Sequence, residues 1–352
     1  MIVKVAEQKL PELLTAAAGV EKLYIPVDKS DKVSVFEEYA PGKTLSRKLN
    51  TLRSAKDFFF PQVQPMAKFR MEGKKIEVID TREEPQDFII FGVRACDVRS
   101  FDILDRVFLA DPVDTYYESR RKHATIVSWA CAEPSETCFC HSFGIDAAAP
   151  EGDARMWIAG GWIYLEDLTE KGAELLKALD LPALGADTSD EDAEKEVKAE
   201  QDRIHSIQEK LPLYSLKPAD NRQKELEIFN SPVWKEFSDK CLGCGSCTFV
   251  CPTCQCFDIE DFNDGHTIER YRCWDSCMYK DFTMMAAGTP RKTQLERFRQ
   301  RFMHKLVYYP IKNDGIYSCV GCGRCLRRCP IHMNIVKVMK ALEEDAQCEK
   351  KN

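Results

Sequence analysis

The sequence predicts an α+β chain, in which an N-terminal α/β domain precedes an all-helical domain organised on cysteine. Three observations carry that expectation. The first half alternates short apolar runs of strand length with helix-patterned segments. Between residues 187 and 202 the composition turns dense in Asp, Glu and Lys and poor in apolar residues. Beyond that stretch one cysteine pattern occurs twice in the same register, with helix-like sequence between the copies.

Taken in order, Gln8 to Ala18 has the spacing of a short amphipathic helix. Pro11 falls in its first turn, where a missing N–H is tolerated. Leu23–Pro26, Val33–Tyr39, Lys75–Ile79 and Phe88–Val93 read as strands. Phe88–Val93 is continuously apolar, as a strand covered on both faces should be. It runs into Arg94-Ala95-Cys96-Asp97 and a helix-like segment, Ser100–Leu109. Ala124–Trp129 is a second buried strand, and it too is followed closely by a cysteine, Cys131. Arg155–Leu165 resembles a hairpin around Ala159-Gly160-Gly161, at one edge of this domain. The charged stretch that follows predicts a solvated helix or linker.

Six of the seventeen cysteines fall between Cys241 and Cys256. Cys241-x2-Cys244-x2-Cys247-x3-Cys251-Pro252 has the spacing that wraps three thiolates around one face of an iron–sulfur cubane and sends the fourth cysteine to another cluster. The pattern returns as Cys319-x2-Cys322-x2-Cys325-x3-Cys329-Pro330. C-x2-C pairs also build zinc sites, but those take two pairs or a Cys/His mix, not triplets with a fourth Cys-Pro. Two [4Fe–4S] clusters are therefore expected, one on Cys241, Cys244, Cys247 and Cys329, the other on Cys319, Cys322, Cys325 and Cys251. Sixty-seven residues separate Cys251 from Cys319, and Gln294–Tyr308 within that insert is helix-like. The organisation expected is an α/β domain (1–180), a charged helical linker (181–230), an all-helical two-cluster ferredoxin-like domain (231–345) and a tail (346–352).

Nine cysteines lie outside these eight. Cys96 and Cys131 each follow an apolar strand, and Cys138 and Cys140 form T-C-F-C a few residues later. Binding crevices in open α/β sheets lie beyond the carboxyl ends of strands. Four cysteines converging there make a third iron–sulfur site, with zinc or unligated thiols as the alternatives. Cys254, Cys256, Cys273 and Cys277 form another quartet, open to three readings: a further cluster, a reactive thiol pair, or packing around the clusters. Cys348, in the polar tail, reads as a bystander. His141 could ligate or hydrogen-bond a cluster, or lie in a surface loop. The basic helix from Arg291 to Lys305, with His304, could compensate cluster charge or dock an acidic partner such as a small ferredoxin.

Composition excludes several function classes. The net charge of −7 provides no global basic field for nucleic acid, and no recognition module is evident. The longest apolar runs are too short to span a membrane. Seventeen cysteines without a signal-peptide pattern at the N-terminus suggest a reducing, cytoplasmic setting with metal-bound thiolates. No G-x-G-x-x-G follows a strand and no P-loop is present, so hydride chemistry is expected elsewhere, and no catalytic residue is assigned.

The segments FGVRACD, CAEPSETCFCHSFG, CLGCGSCTFVCPTCQCFD, WDSCM and CVGCGRCLRRCP together resemble the A subunit of anaerobic sulfite reductase and the beta subunit of sulfhydrogenases. The resemblance runs from about Phe88 to Pro330. It implies an iron–sulfur electron-transfer subunit of an anaerobic, multisubunit oxidoreductase. In such complexes a FAD- and NAD(P)-binding subunit of the ferredoxin-reductase type feeds electrons to a catalytic reductase or hydrogenase subunit. The family motif carries over onto the eight ferredoxin cysteines, onto Cys96, Cys131, Cys138 and Cys140, and onto Cys254, Cys256 and Cys277. Cys273 departs from it. Sulfite, protons, polysulfide and a heterodisulfide all stay open as terminal acceptors. A stand-alone reductase using the N-terminal cysteine site for substrate is the alternative reading.

Overall fold

Phe88–Val93 and Ala124–Trp129 are buried almost throughout because they form the middle of a sheet covered on both faces. The computed structural model describes residues 2–48, 50–82, 84–187 and 192–349. Its strands are β1 (Ile2–Ala6), β2 (Lys22–Ser30), β3 (Val33–Glu38), β4 (Val63–Glu72), β5 (Lys75–Asp80), β6 (Phe88–Val93), β7 (Ala124–Trp129), β8 (Ala154–Ala159), β9 (Trp162–Asp167), β10 (Phe257–Asn263) and β11 (Thr267–Trp274). The chain divides into two units. The first comprises residues 1–59, 85–216 and 320–322, the second 60–84, 217–319 and 323–352.

The first unit holds a seven-stranded sheet in the order β1-β9-β8-β7-β6-β2-β3. Strands β2, β6, β7 and β8 run parallel, and antiparallel partners close both sides. Its helices are α1 (Leu10–Val20), α2 (Ala95–Phe108), α3 (Thr115–His123), α4 (Glu170–Ala178) and α5 (Ala193–Gln208). Leu13, Leu14 and Ala17 of α1 and Leu175 and Leu176 of α4 pack with Ile89, Val127 and Met156 of the sheet in one core. The β8–β9 hairpin is present, but it does not form the edge, because β1 adds to β9.

The structure corrects the expected linker. Helix α5 belongs to the first unit, with Val197 and Ile204 packed against Trp157 and Tyr164. Glu196 accepts hydrogen bonds from Lys4 (2.8 Å) and the Tyr164 hydroxyl (2.5 Å). A sparse apolar stripe was enough for docking because its few members are fully used.

The second unit carries α6 (Glu225–Asn230), α7 (Val233–Lys240), α8 (Ser246–Phe249), α9 (Gln294–Met303), α10 (Tyr309–Lys312), α11 (Arg324–Arg328) and α12 (Ile335–Glu349). It is not all-helical: it also holds a four-stranded antiparallel sheet, β10-β11-β4-β5. Asp264 and Gly265 form the β10–β11 turn, with Gly265 at φ +91° and the Asp264 carboxylate accepting the His266 and Thr267 N–H groups. Strands β4 and β5, from a segment expected in the first domain, complete this sheet because β4 pairs with β11 (Phe69 opposite Ile268). Helix α12 extends to Glu349, so it takes up part of the expected tail; Lys350–Asn352 lie outside the described residues. Among the described residues, no helix is long and apolar enough to cross a membrane.

Candidate metal centres

The two cysteine motifs share a backbone design. Gly245 and Gly323 both adopt left-handed φ (+72°), and each is the N-cap of the short helix that carries the motif's third cysteine, α8 with Cys247 and α11 with Cys325. Such turns point successive N–H groups toward the thiolates, which is how a protein solvates a cluster's negative charge.

In the second unit Cys241, Cys244, Cys247 and Cys329 line one cavity of about 410 Å³, its open mouth included. Gly243 N–H donates to Cys241 Sγ (3.4 Å), and Met333 N–H donates to Cys329 Sγ (3.1 Å). Ser246 Oγ lies 3.4 Å from Cys244 Sγ and holds that thiol below its usual range. Burial pushes the Cys241 and Cys247 thiols up. Arg301 of α9 also lines this cavity. It is buried, and one of its guanidinium donors, Nε, has no hydrogen-bond partner, while Nη2 reaches the Cys247 carbonyl (3.2 Å). Burial opposes its charge. The thiolates of Cys247, Cys325, Cys254 and Cys251 nevertheless hold it protonated, above the ordinary arginine range. A buried cation with a spare donor, facing a ring of thiols, fits an anionic thiolate-bound cluster.

Of the second ferredoxin set, Cys251, Cys319 and Cys325 lie in the second unit and Cys322 in the first. Lys305 stands beside Cys251 and Cys319. Its Nζ donates to Thr253 Oγ1 (2.8 Å) and to the Ser318 carbonyl (2.9 Å), and Cys251 Sγ lies 3.3 Å from the same Thr253 hydroxyl. Burial opposes the lysine's charge, but the thiolates of Cys251, Cys254 and Cys319 raise its pKa above the lysine range. Lys305 sits in a π-helical turn, His304–Tyr308, that continues α9; such turns recur at functional sites. The inward aim of Arg301 and Lys305 removes both from any docking face on this helix. The sequence offered charge compensation for the basic helix without singling out either residue, although a signal was present: Arg301 lies three residues after Phe298 and one before Phe302, on the stripe that α9 buries.

In the first unit Cys96, Cys131, Cys138 and Cys140 line a single cavity with Arg94 and Cys322. Strands β6 and β7 are parallel neighbours, Phe91 opposite Val127. Cys96 sits in the first turn of α2, just past β6, and Cys131 two residues past β7. Cys131 N–H is anchored on the Ala147 carbonyl (2.8 Å) and Cys138 N–H on that of Ser135 (2.9 Å). Burial, then the charges of Cys131 and Cys138, push the Cys140 thiol far up. Arg94 supplies the compensating charge. Its guanidinium lies 4.2 Å from the centre of the Trp129 ring and donates to the carbonyls of Ala130 (3.2 Å) and Lys48 (3.1 Å). His141 does not line this cavity; it is exposed and stacks on Tyr214 with ring centres 4.3 Å apart.

Gly321 closes this site. Phe139 N–H donates to the Gly321 carbonyl (2.9 Å), and Asn50 Nδ2 donates to the Cys322 carbonyl (3.0 Å). A side chain at Gly321 would stand 2.4 Å from the Phe139 oxygen, so only glycine admits this approach.

The further quartet lies around the β10–β11 hairpin. Cys254 lowers the Cys251 thiol and Cys277 lowers the Cys256 thiol, while Cys273 sits in β11 opposite Asp258. The charged groups around it are Glu260, Asp258 and Asp275. Among the described residues, no three His, Cys, Asp or Glu side chains crowd one point closely enough to hold a single ion. Zinc would need thiolates about 2.3 Å from one centre, whereas a cubane takes its thiolates at separate corners.

Residues 240–333 match the family model described as a 4Fe-4S dicluster domain. The chain is 33% identical over 351 residues to sulfhydrogenase 2 subunit beta of Pyrococcus furiosus, covering 97% of this chain and 98% of that protein. It is 22% identical over 191 residues to the F420-dependent formate dehydrogenase subunit beta of Methanocaldococcus jannaschii, covering 52% of this chain and 39% of that protein. No solved structure matches.

Proposed function

The chain belongs to the sulfhydrogenase beta subunit family of iron–sulfur electron-transfer proteins, and from that premise we propose that it passes electrons between an NAD(P)H-linked flavoprotein subunit and a catalytic reductase or hydrogenase subunit in an anaerobic cytoplasm. The observation that carries the reading is the convergence of thiols from distant segments on cavities that also hold buried cations. One [4Fe–4S] cluster is assigned to Cys241, Cys244, Cys247 and Cys329. The second is assigned to Cys319, Cys322, Cys325 and Cys251, on the cysteine spacing. A third is assigned to Cys96, Cys131, Cys138 and Cys140.

A bound cluster supplies reversible one-electron chemistry at a potential set by net charge, hydrogen bonds to sulfur and exposure. The protein's residues set those terms. Gly243 and Met333 donate N–H groups to sulfur. Arg301, Lys305 and Arg94 bring buried positive charge to the three cysteine groups, which favours the reduced, more negative state. No catalytic residue is required of this chain. Sulfite reductase, sulfhydrogenase and heterodisulfide-reductase-linked complexes all remain candidate assemblies, with a small ferredoxin as a further electron partner.

Two measurements test the reading. NAD(P)H should leave the purified chain oxidised and should reduce it once the flavoprotein subunit is added; reduction of the chain alone would overturn the proposed division of labour. Anaerobically purified chain should hold about twelve irons, falling to about eight in Cys138→Ala. The electron paramagnetic resonance signals of the remaining clusters should persist in that variant. Unchanged iron in Cys138→Ala would remove the third cluster.

A further inference from the structure

We propose that Cys256 and Cys277 form a redox-active dithiol, a two-electron site that exchanges with small disulfides, separate from the one-electron clusters. Cys256 immediately precedes β10, and Cys277 lies in the turn that follows β11, so the two meet at the open end of the hairpin. The hairpin holds them there: Asp275 N–H donates to the Cys256 carbonyl (3.0 Å), extending the ladder by one pair. The turn bearing Cys277 is pinned as well. Asp275 Oδ1 accepts the Ser276 N–H (2.6 Å), Ser276 Oγ accepts the Met278 N–H (3.1 Å), and the buried Ser276 hydroxyl lies 2.8 Å from Thr248 Oγ1 of α8. Within this frame the side chain of Cys277, and after it the Cys277 backbone N–H, lower the Cys256 thiol to about 7.

The neighbouring thiols are otherwise engaged. Cys254 is turned toward Cys251, and Cys273 faces carboxylates on the strand. Cys256 therefore has one sulfur partner that the fold aims at it. Both residues are part-exposed, which leaves this end of the hairpin open to a small disulfide. To bond, the two sulfurs must close to about 2.05 Å.

The chemistry balances as two exchanges. Cys256, as thiolate, attacks one sulfur of a disulfide R–S–S–R, forming a mixed disulfide and expelling one thiolate RS⁻. Cys277, as thiolate, attacks the Cys256 sulfur of that mixed disulfide, forming the Cys256–Cys277 bond and expelling the second RS⁻. The two protons released by the cysteines are taken up by the two leaving thiolates. The protein pair is oxidised by two electrons, and the small disulfide is reduced to two thiols.

The test uses the anaerobically purified full chain with its iron, equilibrated in mixtures of reduced and oxidised dithiothreitol and then alkylated and mapped by mass spectrometry. We expect a disulfide joining the peptides of Cys256 and Cys277, appearing reversibly over one narrow range of mixtures, with iron content unchanged. In Cys256→Ser and in Cys277→Ser the bond should be absent, and the remaining thiol should alkylate at every mixture. The iron content of both variants should match the unsubstituted chain. Three results would overturn the proposal: both thiols alkylating even at the most oxidising mixture, a bond from Cys256 to Cys254 instead, or a loss of iron in Cys256→Ser. The last would make Cys256 a metal ligand. Iron counts on the other cysteine variants test the cluster assignments separately, so either idea can fail alone.

Discussion

Replacing Gly321 with alanine isolates one close contact at the N-terminal cysteine site. Gly321 has φ +58°, and an added Cβ would stand 2.4 Å from the Phe139 oxygen, 2.5 Å from its carbonyl carbon and 2.6 Å from Cys140 N. All three are backbone atoms next to two of the four thiols, so no side chain can rotate out of the way. Left-handed backbone costs an L residue about 1–2 kcal/mol, and forcing an extra carbon into packed structure costs about 1–3 kcal/mol more. Gly144 provides the control. It caps the turn that starts at Cys140, with φ +70° and nothing within 4 Å of an added Cβ. Gly144→Ala should therefore lose only the backbone term, and Gly321→Ala the sum, about 2–5 kcal/mol. At about 2–4 °C per kcal/mol for a unit of this size, the variants should differ by several degrees in unfolding midpoint. Scans must share one heating rate, because unfolding of a cofactor-bearing chain is governed by rate. Gly321→Ala should also broaden or remove the third cluster's resonance signal. Equal midpoints for the two variants would refute the close approach.

Other expectations follow from the same geometry. Cys329→Ser should remove the cluster held by Cys241, Cys244 and Cys247, and Cys251→Ser the one held by Cys319, Cys322 and Cys325; resonance spectra showing the opposite pairing would break the assignment. Lys305→Met removes a buried positive charge that favours the reduced state, so the potential of the nearby cluster should fall. At about 59 mV per tenfold for one electron, a loss of about 1.4 kcal/mol would read as about 60 mV in a resonance-monitored titration, and a rise would contradict the sign. Burial first, then the charges of Lys305, Arg291 and Lys312, lower His304 from 6.5 to about 4. The unfolded chain then binds a proton that the folded chain does not between those values. The His304 contribution is complete above pH 6.5 and is lost as pH falls toward 4. His304→Gln should flatten that part of the stability profile, and an unchanged slope would show that the histidine is not the source.

The ferredoxin cysteines were legible because cluster chemistry constrains spacing directly: three thiolates on one cubane face require C-x2-C-x2-C, whatever surrounds them. The buried strands β6 and β7 were legible for a similar reason, since an unbroken apolar run has few places to go in a folded chain. Cys96 and Cys131 followed from them, because parallel neighbours release their chains at the same end of the sheet. The β10–β11 hairpin could have been read from Asp264-Gly265 between alternating segments, but its exposed, charge-rich strands gave a weak pattern. Sequence by itself determined which cysteines could act as ligands and the strands that deliver two of them. Only the tertiary structure decided which charges accompany them. Arg301 and Lys305 look like ordinary members of a basic helix until α9 and its π turn aim them at sulfur, because helix rotation is set by packing against distant residues. The same holds for Cys273, which strand pairing sets opposite Asp258, and for Gly321, whose need for glycine arises from a peptide about 180 residues earlier in the chain. Local spacing encodes what a ligand set can bind; long-range packing selects which potential ligands meet and what electrostatic field they meet in.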